Sequence, residues 1–198
     1  MSAAGDSIPE VESRNVAQFF GGKRAFKIPD YQREYAWEEE QVEALCTDLQ
    51  GFFDSDEPYY MLGQTIIAQN ADLNDKSRYQ FAVVDGQQRL TTLFLFVMAA
   101  RDQLKALELN PAQLQVVEVL TNMLRFIDDA DGQAVARLKS NESGNSYLAD
   151  LLRGDELPIE GHSTETQRNI AENFTYIRSF LKDKFVTSEA LTSFVQKL

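Results

Sequence analysis

The sequence predicts an α+β fold: a small sheet with flanking helices, followed by a mainly helical part. Three observations carry this. Residues 59–68 and 78–84 read as strands separated by a polar loop over 69–76, the pattern of a hairpin. The apolar run Phe81 to Val84 then delivers the chain into Asp85-Gly86, and a helical apolar pattern begins at once with Leu90, Leu93, Phe94 and Val97. Beyond residue 111 the chain reads largely as helix, with Val116, Val117, Leu120 and Leu124 as one apolar stripe that suits a core.

Taken in order, a short helix is expected over 11–20, stopped by Gly21-Gly22. Pro29 keeps Ile28 extended, so the segment around it is a strand end or loop. A helix over 38–53 carries the stripe Val42, Leu45, Cys46, Leu49 and Phe53, which places Cys46 in the core. The hairpin follows, with Gly63 inside its first strand, and then a helix over 86–107 that ends before Asn110-Pro111. Helices over 112–127, 145–152 and 164–184, and one starting near Ser188, complete the chain. The run Asp128-Asp129-Ala130-Asp131-Gly132 has the look of a calcium loop. It fails on spacing, because Ile127 stands where the first ligand should be and Leu138 where the closing Glu should be. The expected division is 1–110 for the sheet-bearing domain and 111–198 for the helical extension.

The chemistry concentrates at Asp85-Gly86-Gln87-Gln88-Arg89. A strand that turns through Gly into a helix leaves free N–H groups and a partial positive charge at the helix start, which suits an anion. Arg89, with two amides beside it, offers donors matched to phosphate oxygens. A rival reading needs no ligand: Asp85 and Gln88 have the spacing of a capping box, with Gly86 permitting the turn. That rival leaves Gln87 and Arg89 without a role. A cation in a helix's first turn also opposes the helix dipole unless something negative sits nearby. Upstream, Lys23 to Arg33 holds four basic residues and one acid, and Tyr31, Tyr35 and Trp37 add three rings able to stack on a base or to lock a loop onto a core.

FKIPDYQREYAW, MLGQTII and VVDGQQRLTTL, in this order, closely resemble the N-terminal domain of the GmrSD-type restriction endonucleases and their relatives in phage defence. The match is dense over 26–37 and 60–98 and weaker over 135–181, where ARLKSNESGNSYLADLL and IAENFTYIRSFL look like the family's following helical region. The resemblance implies a ParB/sulfiredoxin-like fold in which a Gly-and-Arg motif at a helix start holds nucleotide phosphates and an upstream Gln-Arg segment closes over them. It implies Gly86, Thr91, Thr92, Tyr31, Gln32, Arg33 and Trp37 as nucleotide-binding positions, and Asp85, Gln87, Gln88 and Arg89 as catalytic ones. Asp85 is also the candidate ligand for the Mg²⁺ that accompanies an NTP, and Gln87 or Gln88 the candidate to orient a water. The family's DNA-cutting centre is a His-Asn-His-type metal site in a separate C-terminal region. No such motif occurs here, so the chain reads as part of a longer protein or as a short stand-alone member.

Composition excludes other classes. The chain has 198 residues, ample for a buried core, and its 43% hydrophobic content and 25% charged content are ordinary for a globular protein. No apolar run reaches the ~18–20 residues that cross a bilayer, and the polar, acidic N-terminus lacks the blocks of a signal peptide. One cysteine excludes an internal disulfide and suits the cytoplasm. His162, the single histidine, sits in a loop-like Gly-His-Ser and reads as surface, so a zinc cluster or Cys–His pair has no support. No phosphate-binding P-loop and no G-x-S-x-G elbow occurs. The net charge of −12 disfavours the DNA backbone, and 38–57 alone carries eight acids and no base, which reads as a solvated face. The expectation is therefore an NTP-binding and probable NTP-hydrolysing module that regulates a nuclease domain or partner subunit, binds DNA weakly at most, and is able to oligomerise. The alternative is a non-catalytic recognition domain that docks DNA or a partner nuclease, with Tyr31, Tyr35 and Trp37 stacking.

Overall fold

Residues 10–22, 24–71, 78–128, 131–153 and 164–198 are described in a computed structural model. Asn15 fixes where the chain first turns helical: its side chain accepts from Gln18 N, and Gln18 returns the bond to Asn15 N. The first helix, α1 (Val16–Phe20), therefore starts well after residue 11, because the reciprocal cap sets the boundary. Strand β1 (Phe26–Lys27) leads through Pro29 into the QREYAW segment and then α2 (Glu39–Asp54). The hairpin of β2 (Ile66–Gln69) and β3 (Phe81–Asp85) feeds α3 (Gln87–Lys105). The first expected strand was too long. Residues 59–65 are not strand, because Gly63 sits at φ 104 and this segment packs onto the start of α3 instead.

Pro111 opens α4 (Pro111–Leu124) under an Asn110–Gln113 capping box, as its fixed φ suits a first helical position. Helix α4 stops at Leu124 rather than 127, since Arg125–Ile127 leaves as β4 and pairs with β5 (Ala134–Ala136) in a second, two-stranded sheet. Between them Arg78 binds Asp128 at 2.9 Å and also Asp131, so these two carboxylates answer an arginine across the chain. Strand β6 (Leu138–Lys139), α5 (Glu142–Arg153), α6 (Glu165–Lys184) and α7 (Ser188–Lys197) follow. His162 and Lys23 lie outside the described residues.

The α+β expectation holds. The main sheet runs β2-β3-β1-β6, with β1 parallel to both β3 and β6, and β2 antiparallel to β3. Strand β1, expected only as a strand end or loop, and β6, which was missed, complete it with two-residue pairings such as Phe26↔Phe81 and Phe26↔Leu138. Stretches so short carry no alternation to read. Strand β6 belongs to the sheet, and one hydrophobic core runs from Val16 through Phe94 and Leu138 to Phe194.

Helix α3 is the axis of that core, buried on nearly every side from Leu90 to Leu104, as a helix enclosed by others must be. Phe20, Phe26 and Phe94 meet near its start, and Phe96, Phe185 and Phe194 further along, with Phe185 and Phe194 stacked at 4.2 Å. Cys46 lies in the core as expected, and burial pushes its thiol up to about 12, which keeps it protonated. Lys197 closes the far end of α2, donating to the carbonyls of Phe52 (2.9 Å) and Ser55 (2.7 Å) where the helix dipole favours a cation. No helix among the described residues is long and apolar enough to cross a membrane.

Candidate functional site

The parallel pairing brings the C-terminal ends of β3, β1 and β6 side by side. At those ends stand Asp85-Gly86, the segment beginning Pro29-Asp30-Tyr31, and the buried pair Ser140-Asn141. In an open sheet this edge is where ligands bind, because loops and helix starts converge there.

Helix α3 begins without a side-chain cap. Its N-cap is Gly86, held in the left-handed region at φ 84, where a residue with a Cβ is strained. The capping-box alternative fails here: Asp85 is exposed at the end of β3 and does not cap, and the Gln88 side chain is engaged elsewhere. Among the described residues no side chain accepts from the first-turn N–H groups of α3. These groups, at the positive end of the helix dipole, are therefore left without a side-chain cap.

Gln87 and Gln88 turn inward and grip the QREYAW segment. Gln88 Nε2 donates to the Glu34 carbonyl (2.9 Å) and Gln88 Oε1 accepts from Ala36 N (2.8 Å). Gln87 Nε2 donates to the Arg33 carbonyl (3.2 Å), while its Oε1 is buried without a partner. Gln32 Nε2 reaches across to the Val84 carbonyl (3.0 Å). Gln88 is thus held at both ends by backbone. Of the two glutamines, only Gln87 keeps an unengaged oxygen.

Deeper in, Asn173 of α6 donates to the Tyr35 hydroxyl (3.0 Å) and to the Trp37 carbonyl (2.7 Å). The Thr92 hydroxyl donates to the Gln88 carbonyl (3.0 Å), so in the 2.8 Å contact between Tyr35 and Thr92 the phenol is the donor. Burial pushes Tyr35 up to about 12, against smaller downward effects of these hydrogen bonds, and it stays protonated. Thr166 closes the segment from the side, its hydroxyl donating to the Glu34 carboxylate at 2.6 Å.

This geometry sorts the expected site residues. Thr91 and Thr92 are fully buried, and Thr92 serves the internal chain of bonds, so neither presents a group to a ligand. Tyr35 is buried and Trp37 half-buried against the core, which leaves Tyr31, 78% exposed, as the one ring of the three free to stack. Arg33, exposed, and Arg89, half-buried, stand on the two sides of the Gln87–Arg33 bond, and neither has an ion pair among the described residues. Acids outnumber bases 31 to 19, yet no carboxylate among the described residues answers either arginine. Lys27, by contrast, is turned toward Asp30 at 3.9 Å. Among the described residues no three metal-ligating side chains gather.

The segment 59–65 was given no site role from sequence, yet it borders the turn. A Cβ on Gly63 would meet Arg89 Cζ at 2.8 Å, and one on Gly86 would meet the Gln64 carbonyl at 2.9 Å. Tyr60 donates to Asp48 (2.8 Å); its hydroxyl is pushed up first by burial and then by that bond, while the charge of Arg89 pulls it down. Arg89, Tyr60 and Asp48 therefore share one neighbourhood. Tyr31, Tyr59, Met61, Ile66 and Val84, all exposed apolar side chains, lie on the segments flanking the turn. The signal available in sequence was Gly63, since a glycine inside a strand pattern marks a close backbone approach.

No curated protein matches the chain. The model of the GmrSD restriction endonuclease N-terminal domain matches residues 16–197, which takes in every element from α1 to α7. This chain belongs to the GmrSD restriction endonuclease N-terminal domain family.

Proposed function

We propose that the turn at Asp85–Arg89 binds the phosphates of a nucleoside triphosphate and hydrolyses it, and that this regulates a nuclease centre outside this chain. The observation that carries the reading is the open start of α3: an N-cap glycine with no capping side chain, and two arginines without ion pairs beside it. The phosphates would lie on the N–H groups of Gly86 to Gln88, with Arg89 and Arg33 neutralising their charge and Tyr31 against the base. Asp85 would hold Mg²⁺, which usually takes only one or two protein carboxylates beside phosphate oxygens, and the ion would add charge neutralisation. Phosphoryl transfer depends chiefly on positioning and charge stabilisation, so amides and arginines supply what the step needs. Gln87 or Gln88 is the candidate to orient the attacking water, and both also hold the loop.

The test is equilibrium binding of ATP, GTP, CTP and UTP with Mg²⁺ to wild type and to Arg89→Ala. Saturable wild-type binding, weakened ~10–100-fold in the variant, supports the site, because a charge-assisted contact to phosphate contributes roughly 1.5–3 kcal/mol. Failure of all four to bind sinks it. In that event the exposed side chains of Tyr31, Tyr59, Met61, Ile66 and Val84 favour the second reading, a recognition domain that docks a partner nuclease through them.

A further inference from the structure

The core-facing side of α6 changes character along its length. Its C-terminal half buries Phe174, Ile177 and Leu181, as a helix packed on α3 should. Its N-terminal half gives the buried positions Thr166, Asn169 and Asn173 to polar residues, all at most 3% exposed. These three recur at helical spacing, so they share one face. Two of their atoms, Asn169 Nδ2 and Asn173 Oδ1, are buried without a partner. An apolar face would avoid that desolvation, so stability is given up here for something else.

What the polar face does is visible in its partners. Thr166 holds the Glu34 carboxylate, and Asn173 holds the Tyr35 hydroxyl and the Trp37 carbonyl. From Tyr35 the donors run in one direction, to Thr92 and on to the Gln88 carbonyl in the first turn of α3. Residues 33–37 are thus clamped from both sides, by Gln87 and Gln88 of α3 and by Thr166 and Asn173 of α6. The clamp grips backbone and neighbouring side chains and leaves the Arg33 side chain free to point at a ligand.

We infer that Thr166 and Asn173 are positioning residues: they fix where Arg33 stands relative to the open start of α3, and they make the packing of α6 and the occupancy of the anion site interdependent. This rests on the nucleotide reading only for the identity of the anion. Because a coupling free energy is reciprocal, any partner that shifts α6 would change the affinity of the site, and any ligand there would bias α6.

The test uses the full chain with Thr166→Val, which removes one hydroxyl at nearly constant shape, and Asn173→Ala, with Thr166→Ser as the conservative control. Amide hydrogen exchange over residues 33–37 is expected to speed up in the first two and to stay at the wild-type rate in the third. The dissociation constant for the best-bound nucleotide with Mg²⁺ is expected to rise about three- to tenfold in the first two, the size of one lost hydrogen bond in a positioning chain. In an Arg33→Ala background the same substitutions should add nothing further, because the group they position is gone. A merely structural role would add its loss in both backgrounds. Unchanged exchange in a folded Thr166→Val, or losses that stay additive with Arg33→Ala, overturns the inference. If wild type binds no nucleotide, the functional proposal falls, and the exchange measurement alone still decides the clamp.

Discussion

Two helix starts in this molecule solve the same problem in opposite ways. At α4, Asn110 accepts from Gln113 N (3.0 Å), Gln113 returns a bond to Asn110 N (2.9 Å), and Pro111 has no N–H to satisfy. The cap and the third helical position thus close each other within four residues. At α3 the cap is a glycine, the Gln88 side chain that could have closed a box reaches 52 residues back to Ala36, and a cation stands in the first turn. The first start is finished by its own sequence. The second is left uncapped, and its glutamines hold a distant segment in place instead, the arrangement on which the proposed anion site rests.

The sharpest way to break this contrast is at Gly86. An alanine there would be forced into the left-handed region, which costs roughly 1–2 kcal/mol, and its Cβ would meet the Gln64 carbonyl at 2.9 Å, a backbone atom that cannot swing away. A total of about 2–4 kcal/mol is expected for Gly86→Ala, read as a fall in Tm on the order of 10 °C. A change under about 1 kcal/mol would mean that the glycine is not needed for the turn. Gly63→Ala is milder for the fold, at about 1–2 kcal/mol, because the clash is with the movable Arg89 guanidinium, although φ 104 still strains it. Its signature is different: nucleotide affinity should fall as Arg89 is displaced. A variant that loses stability and keeps full affinity would separate Gly63 from the site.

Asn110→Ala tests the closed start. Loss of the cap is expected to lower stability by about 1 kcal/mol in chemical denaturation. Nucleotide affinity should not move, since the substitution touches neither the sheet edge nor the clamp. An affinity loss comparable with that of Gly63→Ala would show that the site reports global stability and would dissolve the contrast between the two starts.

Much of this contrast was legible in the sequence. Gly86 before a helical apolar pattern, and Arg89 opposing the dipole, both pointed to an open start, and Asn110-Pro111 announced the closed one. Local chemistry determines those features, so local reading recovers them. The hydrogen bonds of Gln88 and Thr92 were not legible, because the side-chain partners of Gln88 and the Tyr35 partner of Thr92 lie more than fifty residues away in sequence. Strand β6 escaped, and β1 was legible only as a strand end or loop, for the same reason: two residues acquire strand geometry only from their neighbours in the sheet. The polar face of α6 had a faint signature, Thr166, Asn169 and Asn173 interleaved with Ile170, Phe174 and Ile177. Nothing local says whether such a face meets solvent or a buried loop.

The smallest expected effect separates the two starts by pH. The α4 cap contains no titrating group, whereas the chain of bonds behind α3 runs through Tyr35, which burial raises from 10.0 to about 12. An acid whose folded-state value is raised stabilises the fold below its unfolded value and loses that contribution as pH climbs through the folded one. Nothing should therefore change between pH 6 and 9. From about pH 10 upward the unfolded phenol ionises first, and by about pH 10.5 the contribution lost is on the order of 1 kcal/mol. Tyr35→Phe is expected to lower stability at neutral pH, since Thr92 and Asn173 lose their shared partner, yet to flatten the alkaline slope relative to wild type. Parallel slopes in wild type and Tyr35→Phe would mean that the phenol is solvated in solution. The buried chain from α6 to the start of α3 would then be broken at its centre.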